Sequence, residues 1–246
     1  MLHIMKKALT IFTLLTLLIS ACGENTKKEN QLTFGISSEY PPFEFKQDGE
    51  LVGFDIDIAR AVAEEMGMQA SFKDMKFASI LPSIENGIVA AGISAINITP
   101  QRTANFDFTT PYHYFSIAGI FRDSLNIESA KDLSNKKIAC QIGTSSESWI
   151  KITFPGKEFV SFDGTNQAVE YLKSGRGDVV IVDGEVAVGF AMNNPGYKYI
   201  FIGKSYEGIG IALKKGSPLV IKMNEAIEAM KQNGKLKAIK DKWKID

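Results

Sequence analysis

Three short stretches of this 246-residue chain combine residue types able to hold a small charged molecule. The first is Ile98-Thr99-Pro100-Gln101-Arg102. Thr suits a helix N-cap and Pro the first helical position, so Arg102 falls in a first helical turn beside unbonded backbone N–H groups. Those groups and a guanidinium would grip a carboxylate, which Arg can do with two parallel hydrogen bonds. The same arginine can equally sit on a solvated helix face. The second stretch is Gly143-Thr144-Ser145-Ser146-Glu147. Thr144 and Glu147 have capping-box spacing, and Gly143 would let a ligand approach the backbone closely. Capping boxes are common, so this stretch points to an anion only in combination. The third is Asp183, which closes the apolar run Val179 to Val182 and precedes Gly184. A carboxylate there can hold an ammonium group or cap the next helix. A grip for an anion together with one for a cation would suit a zwitterion.

Other chemistry is poorly represented. The chain has two histidines. His113 has no Cys or His neighbour at metal-ligand spacing, and no nucleophile elbow, H-E-x-x-H helix or P-loop occurs. His113 therefore reads as structural, and neither a metal nor a cofactor is expected.

The elements that must position these residues alternate in kind. Leu32 to Ile36, Ala70 to Phe72, Ile88 to Ile96, Ile117 to Phe121, Lys137 to Gln141, Phe159 to Phe162 and Val179 to Val182 read as strands. The run Ile88 to Ile96 is apolar and small throughout, as in a strand buried on both faces. Helical spacing marks Phe54 to Met66, Phe77 to Ile84, Ser145 to Phe154 and the region ending at Gly175. A later helix is opened by Ser217 as N-cap and Pro218 at its first position, and another covers Leu236 to Trp243. Strands alternating with helices predict an α/β fold with mainly parallel sheets flanked by helices. Two such series suggest two lobes, although no linker separates them.

The beginning of the chain differs from the rest. Lys6 and Lys7 precede an apolar run, Ala8 to Ile19, that is short for a bilayer span. A basic start, a short apolar stretch and small residues before a cut site describe an export signal over residues 1–21. Ile19-Ser20-Ala21-Cys22 resembles a bacterial lipobox, which makes Cys22 the expected lipidation site and new N-terminus. Residues 22–30 are polar and read as a flexible tether. Without Lys6 and Lys7 the balance is 26 basic against 28 acidic residues, which gives no electrostatic reason to bind nucleic acid. Cys140 is the second of two cysteines, so a lipidated Cys22 leaves no intramolecular disulfide.

Tyr40-Pro-Pro-Phe-Glu-Phe45 and Gly53-Phe-Asp-Ile-Asp-Ile-Ala59 open an ordered set of motifs. Ile98 to Arg102, Phe106-Asp107-Phe108, Pro111-Tyr112, Lys131-Asp132-Leu133, Gly143-Thr144, Gly175 to Asp178, Asp183 and Lys242-Trp243 continue it. Together they resemble the solute-binding proteins of ABC transporters for polar amino acids, across nearly all of residues 31–244. The resemblance implies a two-lobed periplasmic-binding-protein fold joined by two hinge strands. Lobe one would be 31–115 plus 207–246 and lobe two 116–206, with crossovers near 113–117 and 204–209. It implies that Arg102 binds the ligand carboxylate with Ser145 and the adjacent Thr144, and that Asp183 binds the α-ammonium. Tyr40 and Phe77 would pack around the ligand side chain. Ser94, Ala95 and Asn97 would lie on a segment that hydrogen-bonds the ligand, and Ser37, Glu39 and Gln141 where its side chain ends. Ala90 stands where the family often has Asp, and Gly184 looks like an added residue beside Asp183.

A basic ligand needs a carboxylate or several acceptors, since an unpaired buried cation is costly. Glu39 could supply the charge, and Phe77 or Tyr40 could stack on a guanidinium. Asn97 and Gln141 suit an uncharged polar ligand. The resemblance therefore leads to a free L-amino acid, arginine or another basic one first and glutamine next. It also implies a permease and ATPase as partners, a monomer, and an exported protein held at the membrane by lipid alone, facing the periplasm or the outer cell surface. Two alternatives stand beside it: a cyclohexadienyl-dehydratase-like enzyme on the same fold, and a sensory or adhesive lipoprotein.

Overall fold

The computed structural model describes residues 30–204 and 207–245. The expected signal, Cys22 and the tether as far as residue 29 lie outside the described residues.

Strand β1 (Gln31–Ile36) leads into a small antiparallel sheet of β2 (Glu39–Tyr40), β3 (Glu44–Gln47) and β4 (Glu50–Val52). Helix α1 (Phe54–Glu65) follows, with Phe54, Ile58 and Val62 buried on one face. Gly53, just before it, has φ 139°, and a Cβ there would overlap the Phe43 carbonyl, so the turn into α1 requires glycine. Next come β5 (Gln69–Asp74), a 3-10 turn (Phe77–Ser79), α2 (Ile80–Glu85), β6 (Ala91–Gly92), α3 (Pro100–Thr103) and β7 (Phe106–Phe108).

The chain then enters a second sheet through β8 (Ser116–Arg122), β9 (Ile138–Gln141), α4 (Ser145–Thr153), β10 (Val160–Phe162), α5 (Thr165–Lys173), β11 (Val179–Asp183), α6 (Gly184–Asn193) and β12 (Tyr197–Lys204). It ends with β13 (Ala212–Lys214), α7 (Leu219–Gln232) and α8 (Lys235–Trp243). The first sheet has the order β5-β1-β6-β13-β7 and the second β10-β9-β11-β8-β12, so the first takes strands from both ends of the described chain. Helices flank both sheets, giving two α/β lobes. Every residue of β11 is buried, because it lies between β9 and β8. Where the chain passes between sheets, isolated antiparallel bridges pair Ile209 with His113 and with Asn97.

Several elements differ from the sequence expectation for identifiable reasons. The strand expected over Ile88 to Ile96 shrinks to Ala91–Gly92. Ile88 is half exposed, and Ala95 takes φ 46°, a left-handed conformation that ends an extended run. Both sheets are mixed. Phe34 of β1 lies parallel to Ala91 of β6, but the returning chain supplies β13 antiparallel to β6 and β7, and β8 runs antiparallel to β11 and β12. Helix α7 starts one residue late: Pro218 is its N-cap, and Ser217 Oγ accepts from Leu219 N at 3.3 Å. Strands β2 to β4, β7, β12 and β13 are short or partly exposed, and helix α6 carries little amphipathic signal. Apolar periodicity marks none of them.

Phe43 shows how the first lobe is packed. It is fully buried, with the rings of Tyr40, Phe54, His113 and Phe115 around it at centroid distances of 6.0, 6.0, 6.2 and 6.5 Å. Phe43→Ala is expected to cost about 3–5 kcal/mol, read from the urea unfolding midpoint.

Candidate functional site

A cleft, partly open to solvent, is lined by residues of both lobes. All twelve residues singled out from the sequence as ligand contacts line it. Glu44, Ser146 and Thr165 line it too and were not anticipated. Thr165 opens α5 directly after a strand and Gly164, the same signal that marks Thr144. Ser146 adjoins Ser145 in the first turn of α4. Glu44 sits inside the Tyr40 to Phe45 motif, where pattern alone gives no reason to separate it from its neighbours.

Arg102 reaches the cleft as the first turn of α3 predicts. Thr99 Oγ1 accepts from Arg102 N at 3.3 Å, fixing that turn. The guanidinium lies over the Phe77 ring at 5.7 Å. Its Nη1 donates to Asn97 O at 2.7 Å and its Nη2 to Gly143 O at 2.9 Å. The second bond links the two lobes. Burial lowers Arg102 to about 10, while the Asp183 carboxylate works against the fall.

The second stretch is built differently from a reciprocal capping box. Thr144 Oγ1 accepts from Glu147 N at 3.3 Å, but Glu147 Oε2 accepts from Gly143 N at 2.7 Å instead of the Thr144 N–H. Gly143 has φ 76°, and this bend brings its amide round to the carboxylate. Ser145 Oγ accepts from Asn97 Nδ2 at 2.6 Å, a second bond between the lobes. Gln141 lines the cleft with both amide ends engaged in its own lobe: Nε2 donates to Asp163 O, and Oε1 accepts from Thr165 Oγ1, each at 3.0 Å.

Asp183 occupies the N-cap position of α6 but makes no side-chain cap. Its Oδ2 instead accepts from Tyr40 Oη at 2.8 Å, and its own backbone N–H donates to the same Tyr40 oxygen at 3.0 Å. Of the two readings open in the sequence, the cap is therefore excluded. Gly184 starts α6 without a side chain because a Cβ would stand 2.9 Å from the Phe201 ring and 3.1 Å from Ser116 O. The Glu39 carboxylate lies against Gly164 at the start of α5. His113 lies away from the cleft lining, with Nε2 2.7 Å from Glu185 Oε1 among three phenyl rings. Among the described residues no group of His, Cys, Asp and Glu could hold a metal ion, and no helix is long and apolar enough to cross a membrane.

Burial pushes Asp183 up to about 8, with Glu185 and Asp55 adding to the rise and Tyr40 and Arg102 opposing it. Asp55 rises to about 7 through burial. Both values lie above those of an unfolded carboxyl, about 4. The native protein thus binds more protons than the unfolded chain across this range. The associated stability is fully present below about pH 4 and is lost as pH rises through 7 and 8. The urea midpoint should therefore be lower at pH 8.5 than at pH 5. Asp183→Asn should shrink that difference by an amount on the order of 1 kcal/mol or more.

Residues 32–245 match the model of the bacterial extracellular solute-binding proteins, family 3. Over 244 residues the chain is 32% identical to the arginine-binding extracellular protein ArtP of Bacillus subtilis (strain 168), covering 96% of each. A solved ancestral arginine-binding protein bound to glutamine is 37% identical, with a TM-score of 0.84, and covers 88% of this chain and 99% of its own. The ancestral arginine-binding protein solved with arginine is also 37% identical, at a TM-score of 0.82, covering 87% and 98%. With its two mixed sheets and the polar cleft they share, this chain belongs to the bacterial extracellular solute-binding proteins of family 3.

Proposed function

We propose that this protein is the extracytoplasmic receptor of an ABC importer and captures a free L-amino acid in the cleft. One observation carries the reading: Arg102 from one lobe and Asp183 from the other, a base and an acid whose ionised form an ammonium would favour, line a single cleft. That is the charge pattern of a zwitterion. Arg102 takes the carboxylate with Ser145 and Thr144. Arg has five N–H donors, and the bonds to Asn97 and Gly143 leave others for it. Asp183 takes the α-ammonium. Ser94, Ala95 and Asn97 contribute hydrogen bonds, and Tyr40 and Phe77 enclose the side chain.

The preferred ligand is arginine or another basic amino acid, with glutamine next. Glu39 at the cleft can supply the carboxylate that a positively charged ligand side chain needs. Arginine-binding relatives support a basic ligand, beside cystine-, histidine- and glutamine-binding ones. Ligand contacts made only when the lobes are closed would shift the hinge equilibrium, and a permease would read the closed form. The lobes are taken as 31–115 plus 207–246 and 116–206, a division that follows the two sheets. The receptor is a monomer, tethered through an acylated Cys22, and it binds its ligand without turning it over.

Thermal unfolding against each of the twenty amino acids tests the function. At about 100 times Kd the ligand should add roughly 2.7 kcal/mol, with L-arginine giving the largest shift. Arg102→Ala should abolish the shift; an unchanged response in that variant would refute the carboxylate assignment. No shift with any amino acid, after removal of co-purified ligand, would refute the receptor. Cys22→Ser should move the protein from the membrane fraction to the soluble exported fraction, and retention in the membrane would refute the anchor.

A further inference from the structure

Glu44 and Asp55 are both almost wholly buried, at 1% and 0% exposure, and their carboxyl groups face each other, held by the consecutive residues Ser94 and Ala95. Two carboxylates cannot meet in an apolar interior, because each would be desolvated beside a like charge. A proton between them turns the repulsion into a hydrogen bond.

The donors around the pair decide which group carries that proton. Asp55 Oδ2 accepts from Ala95 N at 2.6 Å, and Oδ1 accepts from Tyr112 Oη at 3.0 Å. Both Asp55 oxygens thus serve as acceptors, as befits the ionised form. Glu44 Oε1 accepts from Ser94 Oγ at 2.6 Å, but its Oε2 takes no hydrogen bond from any donor among the described residues. That oxygen is the one placed to bear hydrogen.

The other groups around the pair do not supply a counter-charge. Tyr40 and Asp183 face Glu44, and Tyr112 and Glu44 face Asp55. Arg102 acts on Asp183, and His113, packed on Phe43 and Phe54, is paired with Glu185. Among the described residues no salt bridge to a lysine or arginine involves either carboxyl.

The partners of the pair lead straight to the cleft. Ser94 Oγ, which donates to Glu44, accepts from Ser37 N at 3.1 Å. Ala95 is held at φ 46° with its N–H on Asp55. Ser37, Ser94 and Ala95 all line the cleft, and Asn97, two residues on, bonds Ser145 of the other lobe. We propose that Glu44 and Asp55 share one proton, carried on Glu44 Oε2, and that this carboxyl–carboxylate pair positions the Ser94–Ala95 segment for ligand binding. The final step rests on the amino-acid reading of the cleft; the proton assignment does not.

The test separates the two. Infrared spectra of the ligand-free protein at pH 7 should show a buried protonated-carboxyl C=O stretch that is lost in Glu44→Gln, and a separate one, from Asp183, that is lost only in Asp183→Asn. Carbon-13 labelling of the wild type at pH 8.5, above the range in which Asp55 titrates, should find the Glu44 carboxyl protonated and that of Asp55 ionised, a measurement that needs no variant to fold. L-Arginine affinity then reads the positioning. The Gln amide can donate to Asp55 and accept from Ser94. In Asp55→Asn the amide nitrogen cannot accept from Ala95 N or Tyr112 Oη. Asp55→Asn should therefore weaken arginine binding at least about tenfold more than Glu44→Gln, the loss of one hydrogen bond to a charged group. No protonated Glu44 signal, or the proton found on Asp55, overturns the assignment. Equal weakening by the two variants overturns the positioning role. If L-arginine does not bind the wild type, the positioning role falls with the amino-acid reading, and the spectra still decide the proton.

Discussion

Burial of carboxyl groups with few cations near them is the constraint around which this protein is organised. Glu44, Asp55 and Asp183 are each at most 5% exposed, and among the described residues Arg102 is the one basic residue lining the cleft beside them. An isolated ionised carboxylate in such surroundings is costly, so the surrounding structure supplies donors or the group holds a proton. Tyr40 donates to Asp183, Tyr112 and the Ala95 amide donate to Asp55, and Ser94 donates to Glu44. Several of these donors come from segments far apart in the chain, so satisfying the carboxyls ties those segments together.

The same bonds join the two lobes at the cleft. Tyr40 to Asp183, Asn97 to Ser145 and Arg102 to Gly143 each run from the first lobe to the second. Each is also a group able to bind an amino acid. Under the proposed function, lobe contact and ligand contact would draw on the same atoms. A ligand carboxylate would compete for the Arg102 donors now directed to carbonyls, and an ammonium would favour the ionised form of Asp183. Where the chain passes between the two sheets, Ile209 bridges to His113 and to Asn97.

The hydrogen bonds that satisfy these buried carboxyls also fix the backbone that supplies them. Ala95 illustrates the point. Its left-handed backbone is unfavourable for a residue with a Cβ, and its amide bond to Asp55 favours that conformation. The reward is a backbone turned into the cleft where an extended strand would have passed by.

Much of this was legible in the chain itself. Apolar periodicity located α1, α4, α5, β9 and β11, because those elements bury one continuous face or lie wholly inside a sheet. Thr99-Pro100 placed Arg102 in a first turn, and a run of apolar residues ending in Asp183 placed that carboxylate at a strand end, both consequences of local backbone chemistry. Ordered motifs identified the family. What local chemistry could not decide was where side chains turn when several partners compete. Asp183 could cap α6 or face the cleft, and only the arrival of Tyr40, 143 residues earlier in the chain, decided it. Ile88 to Ile96 carried a strand's composition, yet the amide of Ala95 went to Asp55 and the strand stopped at Gly92. Glu44 was indistinguishable from its neighbours until folding set it against Asp55. These outcomes depend on desolvation and on contacts between distant residues, and both exist only once the chain has folded.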